Sequence, residues 1–439
     1  MSPLLGSERT RRKRAVPTSP WHAFGTAIPA AFFDILAAVL DLFYILVVVQ
    51  IALGLYSFWG GYEWLRLVRR RLLSYAGFYA PAAAVICPCK GPEPGLEENL
   101  TALTRFDYAN YELYFVVAAE RDPALEILKR VQAASPKPVH IVVAGPPAGC
   151  GEKVHNLRRA VEELPETFEV VVFTDSDVRL PRGWLSKIVA PLQDPRVGAT
   201  TGYRWIIPGR GAGASDLAGA LASAWNASVA TLLGRAGENF CWGGATAIRR
   251  KTFDEAHVLE AWKGAVSDDW ALTGALERAG KPIVFCPECL GATLQPWTAN
   301  GLLEFTTRQI LLTRIYAPRR WRMGAAAHVS YSFTLLYAAF AIGATLITGD
   351  PWTHLALMAL VIPMLAAMKG ALRTITVSEL LPEWKPQLNS WSWVWTVLAP
   401  VVPFLFSWNF LASLVTRRMR WRGIHYELVS SSMTRILPR

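Results

Sequence analysis

Between Phe32 and Phe58 the chain is almost uninterruptedly apolar. A helix of that length, rising about 1.5 Å per residue, crosses a hydrocarbon core about 30 Å thick. Asp34, Asp41 and Gln50 interrupt the stretch; charge is costly at mid-bilayer, so the two Asp belong near an edge or against a partner helix. The run is too long for a signal-peptide core and no small-residue cleavage site follows it, so it reads as a retained anchor over 28–60. A polar tail over 1–27 precedes it, with Arg9, Arg11, Arg12, Lys13 and Arg14 clustered, and Arg66, Arg69, Arg70 and Arg71 follow as an interface belt. Composition agrees: 52% of the 439 residues are hydrophobic, 18 are Trp, and the net charge is +11. This suits a membrane protein with an arginine-lined interface and excludes a disordered chain. Six Cys are too sparse for a disulfide scaffold. No nucleic-acid partner is expected.

Residues 80–292 have a different rhythm. Short apolar runs at Ala83–Cys87, Leu113–Ala118, Val139–Val143 and Val170–Phe173 are each followed by a turn, and most by a helical pattern. That is the βαβ signature of an α/β domain. Continuous rather than alternating apolar runs predict a mainly parallel sheet covered on both faces. Further strands are expected at Ala199–Gly202, Ala245–Arg249 and Pro282–Phe285. Ligands of such sheets sit beyond the carboxyl ends of the strands.

Residues 293–325 mix apolar and aromatic residues with Arg308, Arg314, Arg319, Arg320 and Arg322. Leu302, Phe305, Gln309, Leu312 and Tyr316 share a helical face, predicting an amphipathic interfacial segment; a helix packed on the soluble core is the plainer reading. A C-terminal membrane region over 328–416 follows, with apolar stretches at about Tyr331–Ile347, Trp352–Met368 and Val394–Val415, and a basic tail over 417–439. If all three stretches span, the tail with Arg417, Arg418, Arg420 and Arg422 ends on the far side from a cytosolic domain. That opposes the positive-inside tendency, so one stretch is expected not to cross.

The sharpest chemical signal is Val171-Val172-Phe173-Thr174-Asp175-Ser176-Asp177. Two carboxylates at the end of a buried strand suit Mg²⁺ or Mn²⁺ bridging a diphosphate, because such ions take oxygen ligands and draw several from substrate phosphates. The plainer reading is a solvated turn or helix cap. Asp268-Asp269 form a second acidic pair ahead of a helix, where one could take a proton from a hydroxyl nucleophile or merely cap that helix. Upstream, Trp242 offers a wall for a sugar and Gly243-Gly244 allow close approach of a ligand to the backbone; a core Trp and an ordinary turn are the alternatives. Lys153 suits a phosphate or an acidic site residue. His155 and Asn156 suit hydrogen bonds to a ligand, although a lone His is as readily structural. Asp122 could reach a nucleobase or ribose, or cap the helix starting at Pro123. Cys87 with Cys89, and Cys286 with Cys289, lack clean zinc spacing. No Walker loop, Gly-x-Gly-x-x-Gly, zinc-protease His pair or Gly-x-Ser-x-Gly occurs.

Several stretches taken together resemble the ceramide glucosyltransferases, closest to their plant-type and bacterial branch: CPCKGPEPGLEENL (87–100), YFVVAAERDPA (114–124), CGEKVHNL (150–157), FTDSDVRLPRGWL (173–185), TGYRWIIP (201–208), NFCWGGATAIRR (239–250), SDDWALTGALERAG (267–280) and WRGIHYEL (421–428). The resemblance covers about 35 to 430. It implies a glycosyltransferase A fold, a Rossmann-like sheet with N-terminal and C-terminal transmembrane helices. It assigns Lys90 and Gly91 to the nucleotide, Asp175 and Asp177 to the metal, and Asp269, beside Asp268, to the catalytic base. Arg308 and Gln309 match the start of the signature that contacts the diphosphate. Leu312 and Thr313 stand where its Arg-Trp belongs, leaving Arg314 or Arg320-Trp321 to substitute. Ala119 stands where animal relatives have a nucleotide-binding Asp, leaving Glu120 or Asp122 to compensate.

The resemblance further implies inverting transfer of glucose from UDP-glucose to the primary hydroxyl of ceramide. The catalytic domain would face the cytosol, at the Golgi or endoplasmic reticulum of a eukaryote or the inner membrane of a bacterium. Two other readings stand beside it: a membrane glycosyltransferase using another UDP-sugar or another acceptor, such as diacylglycerol or a hopanoid lipid, and a scaffold with a decayed transferase domain.

Overall fold

Strand β1 (Ala83–Pro88) lies between β2 (Tyr111–Val117) and β4 (Val170–Thr174), parallel to both, and β3 (Val139–Val143) extends the parallel block beyond β2. Its side chains alternate between two buried layers: Val85, Cys87, Leu113, Phe115 and Val172 enter one, Ile86, Tyr114, Val116, Val171 and Phe173 the other. Burial of both faces is why these strands read as continuous apolar runs. Helices α2 (Leu96–Leu103), α3 (Ala124–Ala134) and α4 (Glu152–Glu162) connect this block. The computed structural model describes residues 30–73, 79–209, 213–235, 237–348 and 357–438, with side chains of 30–40 and 344–348 left aside.

Beyond β4 the sheet departs from the expectation. The chain runs through β5 (Val178–Arg179), α5 (Trp184–Val189), β6 (Ala199–Ile206), α6 (Ala214–Ala230), β7 (Ala245–Arg249), α7 (Arg250–Glu255), α8 (Val258–Trp262), α9 (Asp268–Arg278) and β8 (Ile283–Thr293). The order is β3-β2-β1-β4-β7-β6-β8-β5. β7 is antiparallel to both β4 and β6, and β5 is antiparallel to β8, so the eight-stranded sheet is mixed rather than mainly parallel. An apolar run reports burial of two faces and says nothing about strand direction. The reversal has a consequence: the amino end of β7 lies at the edge where β4 ends, with Ala245 opposite Thr174.

Helix α1 (Ala30–Leu73) has 44 residues. Residues 46–439 form one compact unit, and the earlier part of the chain belongs to another. After β8 come α10 (Ala299–Tyr316), α11 (Pro318–Thr348), α12 (Val361–Leu380), α13 (Lys385–Leu398) and α14 (Val402–Val415). Three helical segments are long and apolar enough to cross a membrane: Asp41–Leu73, Pro318–Gly343 and Val361–Leu380. Exposed Leu55, Trp59, Leu336, Phe340 and Met364 line their outer faces, as lipid contact requires.

The stretch expected at Trp352–Met368 belongs partly to α12, which continues to Leu380; residues 349–356 lie outside the described part. The stretch expected at Val394–Val415 is not one straight helix. It breaks between α13 and α14 with a bend of 68°, where Pro400 and Pro403 remove backbone donors. α14 is tied to the sheet domain through Asn409, which donates to Thr306 Oγ1 (3.0 Å) and accepts from Trp225 Nε1 (3.2 Å). Residues 293–325 comprise α10, whose Phe305 and Ile310 are buried in the domain core, and the start of α11. The basic tail folds into a three-stranded antiparallel sheet of β9 (Arg418–Trp421), β10 (Ile424–Ser430) and β11 (Met433–Leu437).

Candidate active site

The strand ends and the β7 reversal bring the acidic pairs together. Asp175 follows β4 directly and Asp268-Asp269 open α9, both against the loop ahead of β7. Lys153, in the first turn of α4, reaches between them: its Nζ lies 2.7 Å from Asp175 Oδ1 and 3.1 Å from Asp268 Oδ2. Burial opposes the Lys153 charge, but Asp175 and Asp268 outweigh it and raise its pKa. Asp268 is only 4% exposed. Burial first, then the neighbouring Asp269 and Asp175, push its carboxyl up to about 6 against the pull of Lys153.

Asp269 is held from one side. Its Oδ1 accepts from Trp270 N at 2.7 Å and from Ser267 Oγ, so Oδ2 remains for a ligand. Burial raises its pKa. Gly243 is required behind the neighbouring Asp268, since a Cβ there would collide with Asp268 Oδ2 and Lys153 Nζ.

Asp177 pairs with Arg204 Nη1 at 3.3 Å through Oδ2, while Oδ1 is buried without a hydrogen-bond partner. Burial raises its pKa. The second oxygen of Asp175 lies beside Gly244, where a Cβ would approach it to 2.7 Å. Among the described residues no group of three or more His, Cys, Asp or Glu is arranged to hold a metal. A Mg²⁺ or Mn²⁺ ion that takes part of its shell from a diphosphate does not need such a cage, and the orphaned Asp177 oxygen beside Asp175 fits its hard-oxygen preference. All six Cys are buried free thiols.

One cavity of ≈ 1270 Å³ gathers most of the expected site. Lys90, Lys153, Asn156, Asp175, Asp177, Trp242, Asp268, Asp269, Arg308 and Gln309 line it. Asn156 Oδ1 and Arg308 Nε are buried there without hydrogen-bond partners. Arg308 lies between the rings of Phe305 (5.7 Å) and Trp421 (5.3 Å); burial and the nearby Arg204 lower its pKa to about 10. Lys90 pairs with Glu152 at 2.7 Å.

Other expected positions do not line the cavity. Glu120 is exposed. Asp122 Oδ1 accepts from Gly91 N (2.8 Å) and Ala124 N (2.9 Å), tying the loop after β1 to the start of α3. Gly91 serves that loop, and Gly243 backs Asp268 instead of walling the space. His155 bonds Ala144 O at 3.0 Å. Arg314 donates to Ser413 O and Thr416 O, holding the end of α14. Trp321 donates to Ser413 Oγ at 3.0 Å, whereas Arg320 does reach the cavity, over Phe240 and Trp270.

Leu312 and Thr313 line the cavity themselves, and residues with no expected role line it with them. Trp421, at the end of β9, and Arg422 after it line the cavity, as do Glu93, Arg204 and Tyr426. Arg422, with φ 50°, pairs with Glu93, which also accepts from Ser176 Oγ at 2.8 Å. Tyr426 OH accepts from Glu152 N at 3.2 Å. The small sheet thus closes one side of the acidic chamber. Trp421, Arg422 and Tyr426 lie in WRGIHYEL and Arg204 in TGYRWIIP of β6, although spacing gave those residues no role.

The profile described as Glycosyl transferase family 21 matches residues 42–433. The chain belongs to that family. It is similar to a ceramide glucosyltransferase of Gibberella zeae, 29% identical over 147 residues, 31% of this chain and 28% of the relative. It is also similar to ceramide glucosyltransferase 1 of Caenorhabditis elegans, 26% identical over 123 residues, 28% and 26% of the two chains. The matches therefore span little more than a quarter of those relatives' lengths. Among solved structures it is similar to a mannosyltransferase from Pyrobaculum calidifontis in complex with GDP-Man and Mn²⁺, at 18% identity and TM-score 0.41, covering 83% of this chain and 99% of that one. The family 21 chain thus couples a set of buried and half-buried carboxylates to helices able to cross a membrane.

Proposed function

We propose that the protein transfers a hexose from a UDP-sugar to the hydroxyl of a membrane lipid, with inversion at the sugar carbon. Glucose and ceramide are the donor sugar and acceptor carried by the relatives' names. The observation that supports this reading is the continuity of the cavity. Its acidic end holds Asp175, Asp177, Asp268 and Asp269, and its other end is walled by Leu53 of α1, Met323 of α11 and Leu365 of α12. A lipid leaves a bilayer at a cost of about 0.8 kcal/mol per methylene, so a site between apolar helices lets the acceptor hydroxyl reach the donor without full extraction.

In this reading Asp269 Oδ2 takes the proton as the acceptor oxygen bonds to the sugar's anomeric carbon. The bond from that carbon to the diphosphate oxygen breaks, and UDP departs. Lys153 holds Asp175 and Asp268 in place. Arg308, with its orphaned Nε, and Arg422 face the departing diphosphate, while Trp242 walls the sugar. A Mg²⁺ or Mn²⁺ ion held by Asp175 and Asp177 would supply neutralisation of the leaving group's charge. The catalytic domain would face the cytosolic side, where nucleotide sugars are made.

The test is incubation of the purified full chain with a panel of UDP-sugars and lipid acceptors, with and without each cation, followed by mass analysis. A glycolipid one hexose heavier than its acceptor, formed together with UDP, is the expected result. Intact UDP-sugar binding with no glycolipid from any acceptor would overturn it.

A further inference from the structure

α12 is a candidate span, yet its middle carries two cations, Lys369 and Arg373, one turn apart and so on one face. Both line the cavity. Lys369 Nζ donates to Ser57 Oγ of α1. Arg373 donates to Ser228 Oγ (3.0 Å) and Thr231 Oγ1 (3.2 Å) at the end of α6, while its Nε is buried without a hydrogen-bond partner. Their partners are therefore neutral hydroxyls. Among the described residues neither cation forms an ion pair. The carboxylate of α12 itself, Glu379, is taken by Arg69 at 2.7 Å.

Charge inside a membrane span is expensive and persists where a partner or ligand answers it. Two cations answered only by hydroxyls, with no ion-pair partner among the described residues, on the wall of a cavity that also holds Leu365, Ile362 and Phe406 call for an occupant with both apolar and anionic parts. UDP alone has no apolar part for this end of the cavity, and the acidic end already has Arg308, Lys90 and Arg422 to answer a diphosphate. We propose that Lys369 and Arg373 bind the acidic group, a phosphate ester or similar anion, of an anionic lipid acceptor. This rests on the lipid-acceptor reading and selects within it: a neutral lipid such as ceramide would leave both cations facing acyl chains.

The test is binding, measured by native mass spectrometry of the full chain released from detergent, with turnover measured in parallel. The probes are phosphatidylglycerol, which has an acidic phosphate and free hydroxyls, then ceramide, diacylglycerol and inorganic phosphate. Wild-type protein should bind phosphatidylglycerol at least tenfold more tightly than ceramide or diacylglycerol, a comparison that needs no variant. Lys369→Met with Arg373→Met should remove that preference and leave UDP binding unchanged. Equal binding of anionic and neutral lipids by the wild type, or a preference surviving the double substitution, would overturn the proposal. Inorganic phosphate competing as well as phosphatidylglycerol would overturn the lipid source of the anion. Glycosylation of ceramide or diacylglycerol but not of phosphatidylglycerol would overturn the acceptor assignment even if phosphatidylglycerol binds through the two cations; if no lipid is glycosylated while it still binds there, the transfer reading fails and only an anionic-lipid site stands.

Discussion

Lys153 Nζ lies 2.7 Å from Asp175 Oδ1, the shorter of two ion pairs that join the end of the central strand to the start of α9. This one cation balances carboxylates that come from separate elements. Replacing it by Met leaves them repelling one another in a poorly solvated place, and breaking a buried pair costs about 3–5 kcal/mol. Lys153→Met should lower the melting temperature by several degrees, and added Mn²⁺ or Mg²⁺ should recover more of the loss than in wild type. An unchanged melting curve without cation would show that the pairs carry no structural load.

Asp269 has one carboxylate oxygen engaged by Trp270 N and Ser267 Oγ and the other free. Asp269→Asn keeps the shape and can keep the contact with Ser267, but it has no basic oxygen for the proton. Turnover should fall about 10²–10⁴-fold, with UDP-sugar affinity by calorimetry within about threefold of wild type. Turnover within tenfold of wild type would assign the proton to another group.

The carboxyl of Asp268, raised to about 6 chiefly by burial, predicts a pH-dependent stability. The folded chain holds this proton more tightly than the unfolded chain, so the group's contribution is greatest below the ordinary carboxylate range and declines as pH rises through about 6. Asp268→Asn fixes the neutral form. It also removes a partner of Lys153, a change whose offset is separate from the pH slope. The melting temperature of the variant relative to wild type should therefore rise between pH 4.5 and 7, measured in detergent. A flat difference would mean that Asp268 is not shifted.

The strand ends were legible because a buried strand followed by polar residues marks its own carboxyl end, and Asp175 and Asp177 stand at one. Strand direction was not, because β7 is as apolar as a parallel neighbour would be. Arg314 looked like a substitute for the missing signature by proximity to Arg308. Six residues along a helix is about 240° of rotation, which turns it away from the cavity toward the end of α14. Lys369 and Arg373 fell just beyond an apolar stretch expected to end at Met368. Only the observed extent of α12 places them within a candidate span. Trp421 and Arg422 lie more than a hundred residues from Arg308, and no periodicity links positions so far apart.

Trp421 gives the most direct test of the C-terminal sheet as part of the site. Its ring lies 5.3 Å from the Arg308 guanidinium, which Phe305 flanks at 5.7 Å. A cation over an aromatic face gains about 0.5–2 kcal/mol depending on desolvation, and here it also fixes where an otherwise unpartnered Nε points. Trp421→Ala should free the guanidinium and open that side of the chamber to water. The affinity for UDP, where Arg308 and Arg422 would meet the diphosphate, should weaken by about threefold to thirtyfold by the same range of energies. Trp421→Phe, which retains an aromatic face, should recover most of it. The melting temperature serves as the control, because Trp421 is partly exposed and its loss should move stability little. If UDP affinity is unchanged in Trp421→Ala, the sheet is a structural appendage and Arg308 is positioned by Phe305 alone.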